Sequence, residues 1–111
     1  MDKIIERNLL FDFYGDLLTE RQKSIYQDAV YGDLSLSELA DDYGISRQGV
    51  HDLIKRCDKT LEDYEKKLKL IERFEKIKEY SELLVDEVNS YGDAKLTEVT
   101  KDYIDKIKEQ L

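Results

Sequence analysis

Apolar side chains return at helical spacing along nearly the whole chain, and the breaks in that rhythm mark where helices start and stop. Ile4, Ile5, Leu9, Leu10, Phe13 and Tyr14 make one broad apolar side of a first helix over residues 3–14. Gly15 follows as its expected stop, since glycine tolerates the left-handed conformation common at helix ends. Thr19, with Gln22 three positions on, reads as a capping box opening a second helix. That helix runs from about Glu20 to Tyr31, buries Ile25, Ala29 and Val30, and ends at Gly32. Ser35 with Glu38 repeats the box for a short third helix ending near Tyr43, and Ser46 caps a fourth that begins at Arg47.

Beyond Val50 there is neither Gly nor Pro until Gly92. Val50, Ile54, Cys57, Leu61, Tyr64, Leu68 and Ile71 alternate steps of four and three, as on a helix packing along a seam. Phe74 and Ile77 then arrive at successive steps of three, before the rhythm resumes through Ser81, Leu84, Val88 and Tyr91. This slip at residues 71–77 predicts a kink, a break or a change of packing partner. A bend is favoured, because a straight helix of about 45 residues would be long for a small domain. A last amphipathic helix, about Leu96 to Lys108, presents Leu96, Val99, Tyr103, Ile104 and Ile107. Tyr14, Tyr64 and Tyr80 fall on apolar stripes and are expected in the core. Tyr-Gly-Asp occurs at 14–16, 31–33 and 91–93, each time at an expected helix end. The irregular spacing argues for helix-end chemistry over a true repeat. The pattern as a whole predicts an all-α fold in a single domain, 1–111. A helix-turn-helix core would occupy about 18–60 and a helical C-terminal extension about 61–111.

Within that pattern, residues 35–56 read as a helix-turn-helix. Ala40 lets two helices approach closely, Gly44 supplies the turn, and Val50 and Leu53 aim back at the first helix of the pair. With Val50, Leu53, Ile54 and Cys57 turned inward, Arg47, Gln48, His51 and Lys55 are left outward, with Asp52, Arg56 and Lys59 beside them. Arginine pairs bidentately with guanine and glutamine with adenine in a major groove. Ser46 and the free amides at the helix start suit a phosphate. The candidate nucleic-acid-binding residues are therefore Ser46, Arg47, Gln48, His51, Lys55, Arg56 and Lys59.

Charge changes this picture. The formal net charge is −8. Residues 1–59 carry 8 basic and 12 acidic side chains and residues 60–111 carry 10 and 14, so each part is −4 and neither holds a basic arm. Residues 46–59, with four basic to two acidic side chains, form the main basic island of the N-terminal part. Asp41, Asp42 and Asp52 bracket that surface and repel phosphates, each by about 1 kcal/mol at contact distance in water. Weak or partner-assisted binding is the expectation, not a tight autonomous grip. A second basic stretch, Lys66, Lys67, Lys69, Arg73, Lys76 and Lys78, is interleaved with glutamates and reads as a self-neutralised face. Lys66, Lys69, Arg73 and Lys76 nevertheless share one helical face on which an RNA backbone could lie.

Other chemistry finds little support. His51 and Cys57 are the only histidine and cysteine; six residues apart on a helix, they point to different faces and make a poor nucleophile–base pair. Cys57 belongs to the apolar stripe and zinc would need more ligands. No glycine-rich phosphate loop is present. A non-enzyme without cofactor or metal is expected. The lone cysteine, the lack of a signal-peptide pattern and the lack of a membrane-spanning apolar run point to the cytoplasm.

Two family resemblances attach to these residues. Residues 18–56, from Leu-Leu-Thr-Glu-Arg-Gln through Leu-Ser-Leu-Ser-Glu-Leu-Ala to Gly-Ile-Ser-Arg-Gln-Gly-Val, resemble region 4 of bacterial sigma factors. That resemblance implies a promoter-reading helix matching Arg47, Gln48, His51 and Lys55. Nothing in the rest of the chain resembles the other sigma regions. The whole length more closely resembles the small YlxM family of Gram-positive bacteria. The likeness is carried by Ile-Glu-Arg-Asn-Leu-Leu-Phe-Asp-Phe-Tyr-Gly, Leu-Leu-Thr-Glu-Arg-Gln and Ile-Ser-Arg-Gln-Gly-Val-His-Asp-Leu-Ile-Lys-Arg. It implies a regulatory role in the signal recognition particle pathway, with the particle's RNA or its GTPase subunit as partners. The resulting expectation is a non-enzymatic regulatory or accessory factor that contacts RNA or DNA and pairs into a homodimer. A DNA-binding transcriptional regulator and a protein–protein assembly module are the alternatives.

Overall fold

Four helices and a short 3-10 turn make the first of two compact units in the chain; the division falls between Lys69 and Leu70. The computed structural model describes residues 2–109. In the first unit, α1 (Lys3–Tyr14) is followed by the 3-10 turn Gly15–Leu17, then α2 (Glu20–Tyr31), α3 (Leu36–Tyr43) and α4 (Arg47–Leu68). In the second, α5 (Leu70–Asn89) and α6 (Ala94–Glu109) pack on each other. The described residues contain helices and no strand, so the fold is all-α, and its third and fourth helices stand in helix-turn-helix order.

The helix starts form as the caps dictate. Thr19 Oγ1 accepts from Gln22 N at 3.2 Å while Gln22 Oε1 accepts from Thr19 N at 3.1 Å. Ser35 and Glu38 close the same reciprocal box on α3. Each exchange satisfies two amides that a helix start otherwise leaves without a partner. Gly15 departs from the expected left-handed stop: its φ is −57°, an ordinary helical value. A side chain there would press on the Phe11 ring, which lies 3.0 Å from where a Cβ would sit. Space, and not backbone freedom, sets that glycine. The three Tyr-Gly-Asp copies do fall at helix ends, yet their glycines adopt three different conformations, with φ of −57°, −91° and +75°.

Ile25, Leu39, Ala40 and Val50 form the core where α2, α3 and α4 meet, with Ala29, Tyr43, Ile45, Leu53 and Ile54 packed against it. Burying Ile25, Leu39 and Val50 stabilises the unit by roughly 1.5–3 kcal/mol each. α1 lies on α4, and Leu10, Tyr14, Tyr26, Cys57 and Leu61 are buried in this unit. Phe11 stacks on Tyr26 with ring centroids 5.4 Å apart, and Tyr14 stacks on Tyr64 at 6.0 Å. The Tyr14 hydroxyl donates to Glu65. On the far side, Tyr43 ties α3 to α2: its hydroxyl donates to Asp28 Oδ2 and lies 2.7 Å from Ser24 Oγ.

The long helix does not bend within residues 71–77. It breaks earlier, at Lys69, whose backbone turns left-handed (φ 56°, ψ 32°) while its amide still bonds to Glu65 O. One left-handed residue is enough to end α4, and the rotation of the apolar stripe that follows belongs to a separate helix. A non-glycine residue held there costs about 1–2 kcal/mol, part of which glycine would return as greater freedom in the unfolded chain. Lys69→Gly is accordingly expected to stabilise the protein by about 0.5 kcal/mol, seen as a higher urea midpoint with an unchanged slope.

In the second unit the expected stripe is only partly buried. Ile104 is buried, and Ser81, Val85, Val88, Thr97 and Thr100 are half-buried. Tyr80, expected in the core, is exposed, as are Leu84, Tyr91, Leu96, Val99, Tyr103 and Ile107. Asp93 caps α6 by accepting from Leu96 N at 3.0 Å. Thr97 and Thr100 turn their hydroxyls onto Asp93 O and Leu96 O of their own helix, which satisfies them where they are half-buried.

Candidate nucleic-acid interface

The turn between α3 and α4 depends on Gly44. Its φ of 68° is left-handed, and a Cβ there would meet nothing within 4 Å, so the backbone conformation alone demands glycine. Gly44 N and Ile45 N both donate to Ala40 O, which closes the C-terminus of α3. Ala40 itself sits in the core with Leu39 and Val50. Ser46 Oγ then accepts from Gly49 N at 2.9 Å and caps α4. A Cβ on Gly49 would come within 3.1 Å of that oxygen, so the glycine lets the cap close. The cap engages one of the first amides of α4. Those of Arg47 and Gln48 precede any intrahelical acceptor and remain available to an anion.

Arg47, Gln48, His51, Lys55, Arg56 and Lys59 are all exposed. Helical spacing aligns 47, 48, 51, 55 and 59 along one side, with Arg56 on the flank. Arg47, Lys55, Arg56 and Lys59 make no ion pair among the described residues, so their charge is presented to solvent. Asp52 is the counterweight. Gln48 Nε2 donates to Asp52 Oδ1 at 2.9 Å, and the same oxygen lies 3.9 Å from His51 Nδ1. That bond engages one of the two N–H donors of the Gln48 amide and leaves the other. Asp41 and Asp42 lie exposed on α3.

The charge balance of this stretch contains one element that sequence reasoning missed. Asp58, the second acid within residues 46–59, faces inward to Arg7, whose Nε donates to Oδ1 at 2.9 Å and whose Nη2 donates to Oδ2. The Tyr26 hydroxyl donates to Asp58 Oδ1, and the Arg7 guanidinium lies 5.6 Å from the centre of the Tyr26 ring. One carboxylate therefore joins α1, α2 and α4. The bond to Asp58 raises the Arg7 pKa above its ordinary value, and burial together with Asp58 raises that of Tyr26. With Asp58 paired, Asp52 is the only acid in residues 46–59 left beside the four cations. Arg7 and Asp58 stand 51 residues apart, and no local spacing links them.

Cys57 is fully buried as a free thiol, and burial pushes its pKa up. A buried thiol held protonated is a poor nucleophile. Among the described residues no group of three or more His, Cys, Asp and Glu side chains is placed to hold a metal ion. No described helix is long and apolar enough to cross a membrane.

An α3–turn–α4 pair with a left-handed glycine between them defines a helix-turn-helix protein, here with four cations and one acid on the exposed side of its second helix. In DNA-binding members of that class the second helix enters the major groove. Residues 1–109 match the family UPF0122, described as "Putative helix-turn-helix protein, YlxM / p13 like". A UPF0122 protein of Staphylococcus epidermidis is 42% identical over 107 residues, 96% of this chain and 92% of its own length. One from Clostridium perfringens is 40% identical over 111 residues, 100% and 97% of the two chains. A third, from Shouchella clausii, is 51% identical over 75 residues, 68% and 69%. The chain belongs to this YlxM/p13-like helix-turn-helix family.

Proposed function

We propose that the chain is a non-enzymatic regulatory or accessory factor of the signal recognition particle pathway, acting in the cytoplasm and contacting nucleic acid through the exposed side of α4. Ser46, Arg47, Gln48, His51, Lys55, Arg56 and Lys59 would make the contact, presented much as region 4 of sigma factors presents its reading helix. The supporting observation is the set of four cations without carboxylate partners along a helix that opens with free amides. The particle's RNA is the favoured ligand and its GTPase subunit the favoured protein partner; both follow from the family resemblance. Pairing of two copies would double a weak contact.

Gln48 leaves the rival reading of a transcriptional regulator open. A base-reading glutamine needs one amide N–H and its oxygen, and Asp52 takes only one of the two N–H groups. Phosphate contact by Arg47, Lys55 and Lys59 survives that arrangement, because it needs charge and no base edge. Titration of the purified protein with the particle's RNA and with duplex DNA at several ionic strengths tests the proposal. RNA binding whose logarithm falls linearly with log salt, at a slope of magnitude about 2–4, is expected for so few phosphate contacts. Sequence-specific duplex binding that persists at physiological salt would establish the regulator instead. Binding to neither would leave an assembly module, tested by pull-down with the GTPase subunit.

A further inference from the structure

The second unit is inside out. The seam between α5 and α6 takes the smaller and more polar positions, Ser81, Val85, Val88, Thr97, Thr100 and Ile104, all buried or half-buried. Larger apolar side chains lie outside it: Tyr80 is 65% exposed, Leu84 51%, Tyr103 63% and Ile107 55%. On α5 the exposed residues Tyr80 and Leu84 each precede a seam position by one residue. On α6 the same is true of Leu96, Val99 and Tyr103, and Ile107 precedes the half-buried Lys108. One residue is 100° of helix. Because the short turn makes the two helices antiparallel, equal rotations in the sense of each chain bring both stripes to the same side of the hairpin.

We infer that this two-helix face is the surface on which a second copy of the chain docks, antiparallel, about a two-fold axis near Tyr80. The inference deepens the pairing named above and rests on it. Area is the first argument. Tyr80, Leu84, Leu96, Val99, Tyr103 and Ile107 keep 42–65% of their surface exposed, on the order of 600 Å² per copy of the ~800 Å² each partner buries in a standard interface. Charge is the second, and it chooses the occupant and its direction. The α5 stripe runs Arg73, Ile77, Tyr80, Leu84 and Glu87 in alternating steps of four and three, the spacing of a packing seam. Its single cation and single anion stand seven residues either side of Tyr80. Antiparallel pairing through Tyr80 sets Arg73 against Glu87 of the partner subunit, twice, by symmetry. A two-fold axis along the helices would instead lay α5 over α6 of the partner subunit and bring no such pair together. Neither Arg73 nor Glu87 is in an ion pair among the described residues, so both are available.

Sedimentation of the full-length chain over a concentration series tests this surface. Arg73→Glu and Glu87→Arg are each expected to weaken the dimer about tenfold, and the double variant to return to within about threefold of the natural chain. Tyr80→Cys is expected to yield a disulfide-linked dimer on mild oxidation. The natural chain, whose Cys57 is fully buried, should not, and neither should Glu79→Cys, which lies away from the face. A dimer indifferent to both charge reversals, or Tyr80→Cys linking no better than Glu79→Cys, overturns this surface while pairing itself stands. A chain monomeric at every concentration overturns both. RNA binding, measured on the same variants, reports separately on α4.

Discussion

Reversing two charges together, Arg47→Glu with Lys55→Glu, is expected to weaken RNA binding about a hundredfold near 0.1 M salt. Each substitution removes a phosphate contact and places a carboxylate where the phosphate would lie. At about 1–1.5 kcal/mol per position, the two give roughly 3 kcal/mol, or a factor of ~100. The magnitude of the salt slope should fall by about two, because two fewer counterions are released. Both side chains are exposed and make no ion pair among the described residues, so the fold has nothing to lose with them. Fluorescence anisotropy at several salt concentrations, beside a thermal melt, separates the two effects. Undiminished binding with an unchanged slope would move the interface away from α4.

Asp58→Ala is expected to do the reverse: destabilise the first unit by about 2–3 kcal/mol and leave the exposed stripe of α4 in place. The carboxylate accepts two bonds from Arg7 and one from the Tyr26 hydroxyl. Removing it strands a hydroxyl on a fully buried residue and a guanidinium packed on the Tyr26 ring. A buried donor left without an acceptor costs about 1–3 kcal/mol, and bonds to charged groups are the stronger kind. The figure stays below that of a fully buried ion pair, because the side chains of Arg7 and Asp58 keep 37% and 29% of their exposure and water reaches the pair. Asp58→Asn, which keeps an acceptor, should cost less than half as much. Urea denaturation checks both. The tyrosine adds a pH signature. Its folded pKa is raised, so its contribution is intact below the unfolded value near 10 and is lost as pH climbs toward the folded value. Alkaline destabilisation should therefore be larger in the natural chain than in Tyr26→Phe.

Thr19, Ser35 and Ser46 were legible as caps because a cap is a bond across three residues. Gly44 was legible because the turn chemistry is equally local. Gly15 was legible as a helix end but not for the right reason: what it avoids is the Phe11 ring. The interruption after α4 was legible as a slip of the stripe at residues 71–77, with a bend favoured; its position and its form, a break at Lys69, were not, because a left-handed lysine has no sequence signal. On the candidate interface, the outward direction of Arg47, Gln48, His51 and Lys55 followed from helical spacing. The bond that ties Gln48 to Asp52 did not, since side-chain rotamers on an exposed face have no periodicity to betray them.

By itself the sequence determined that the chain is helical, where most of its helices start, and that residues 35–56 form a helix-turn-helix. Those features are settled by contacts within one or two helical turns, and periodicity records such contacts directly. Only the tertiary structure decided that Asp58 is neutralised by Arg7 from 51 residues away, leaving Asp52 as the one acid of residues 46–59 on the basic stripe. It also decided that Tyr80 and Leu84 face solvent while Ser81 and Val85 take the seam. A stripe of apolar residues says that a helix has a side to bury. Which of two adjacent stripes is covered depends on the rotation of each helix against its neighbour, and that rotation is set across space, not along the chain.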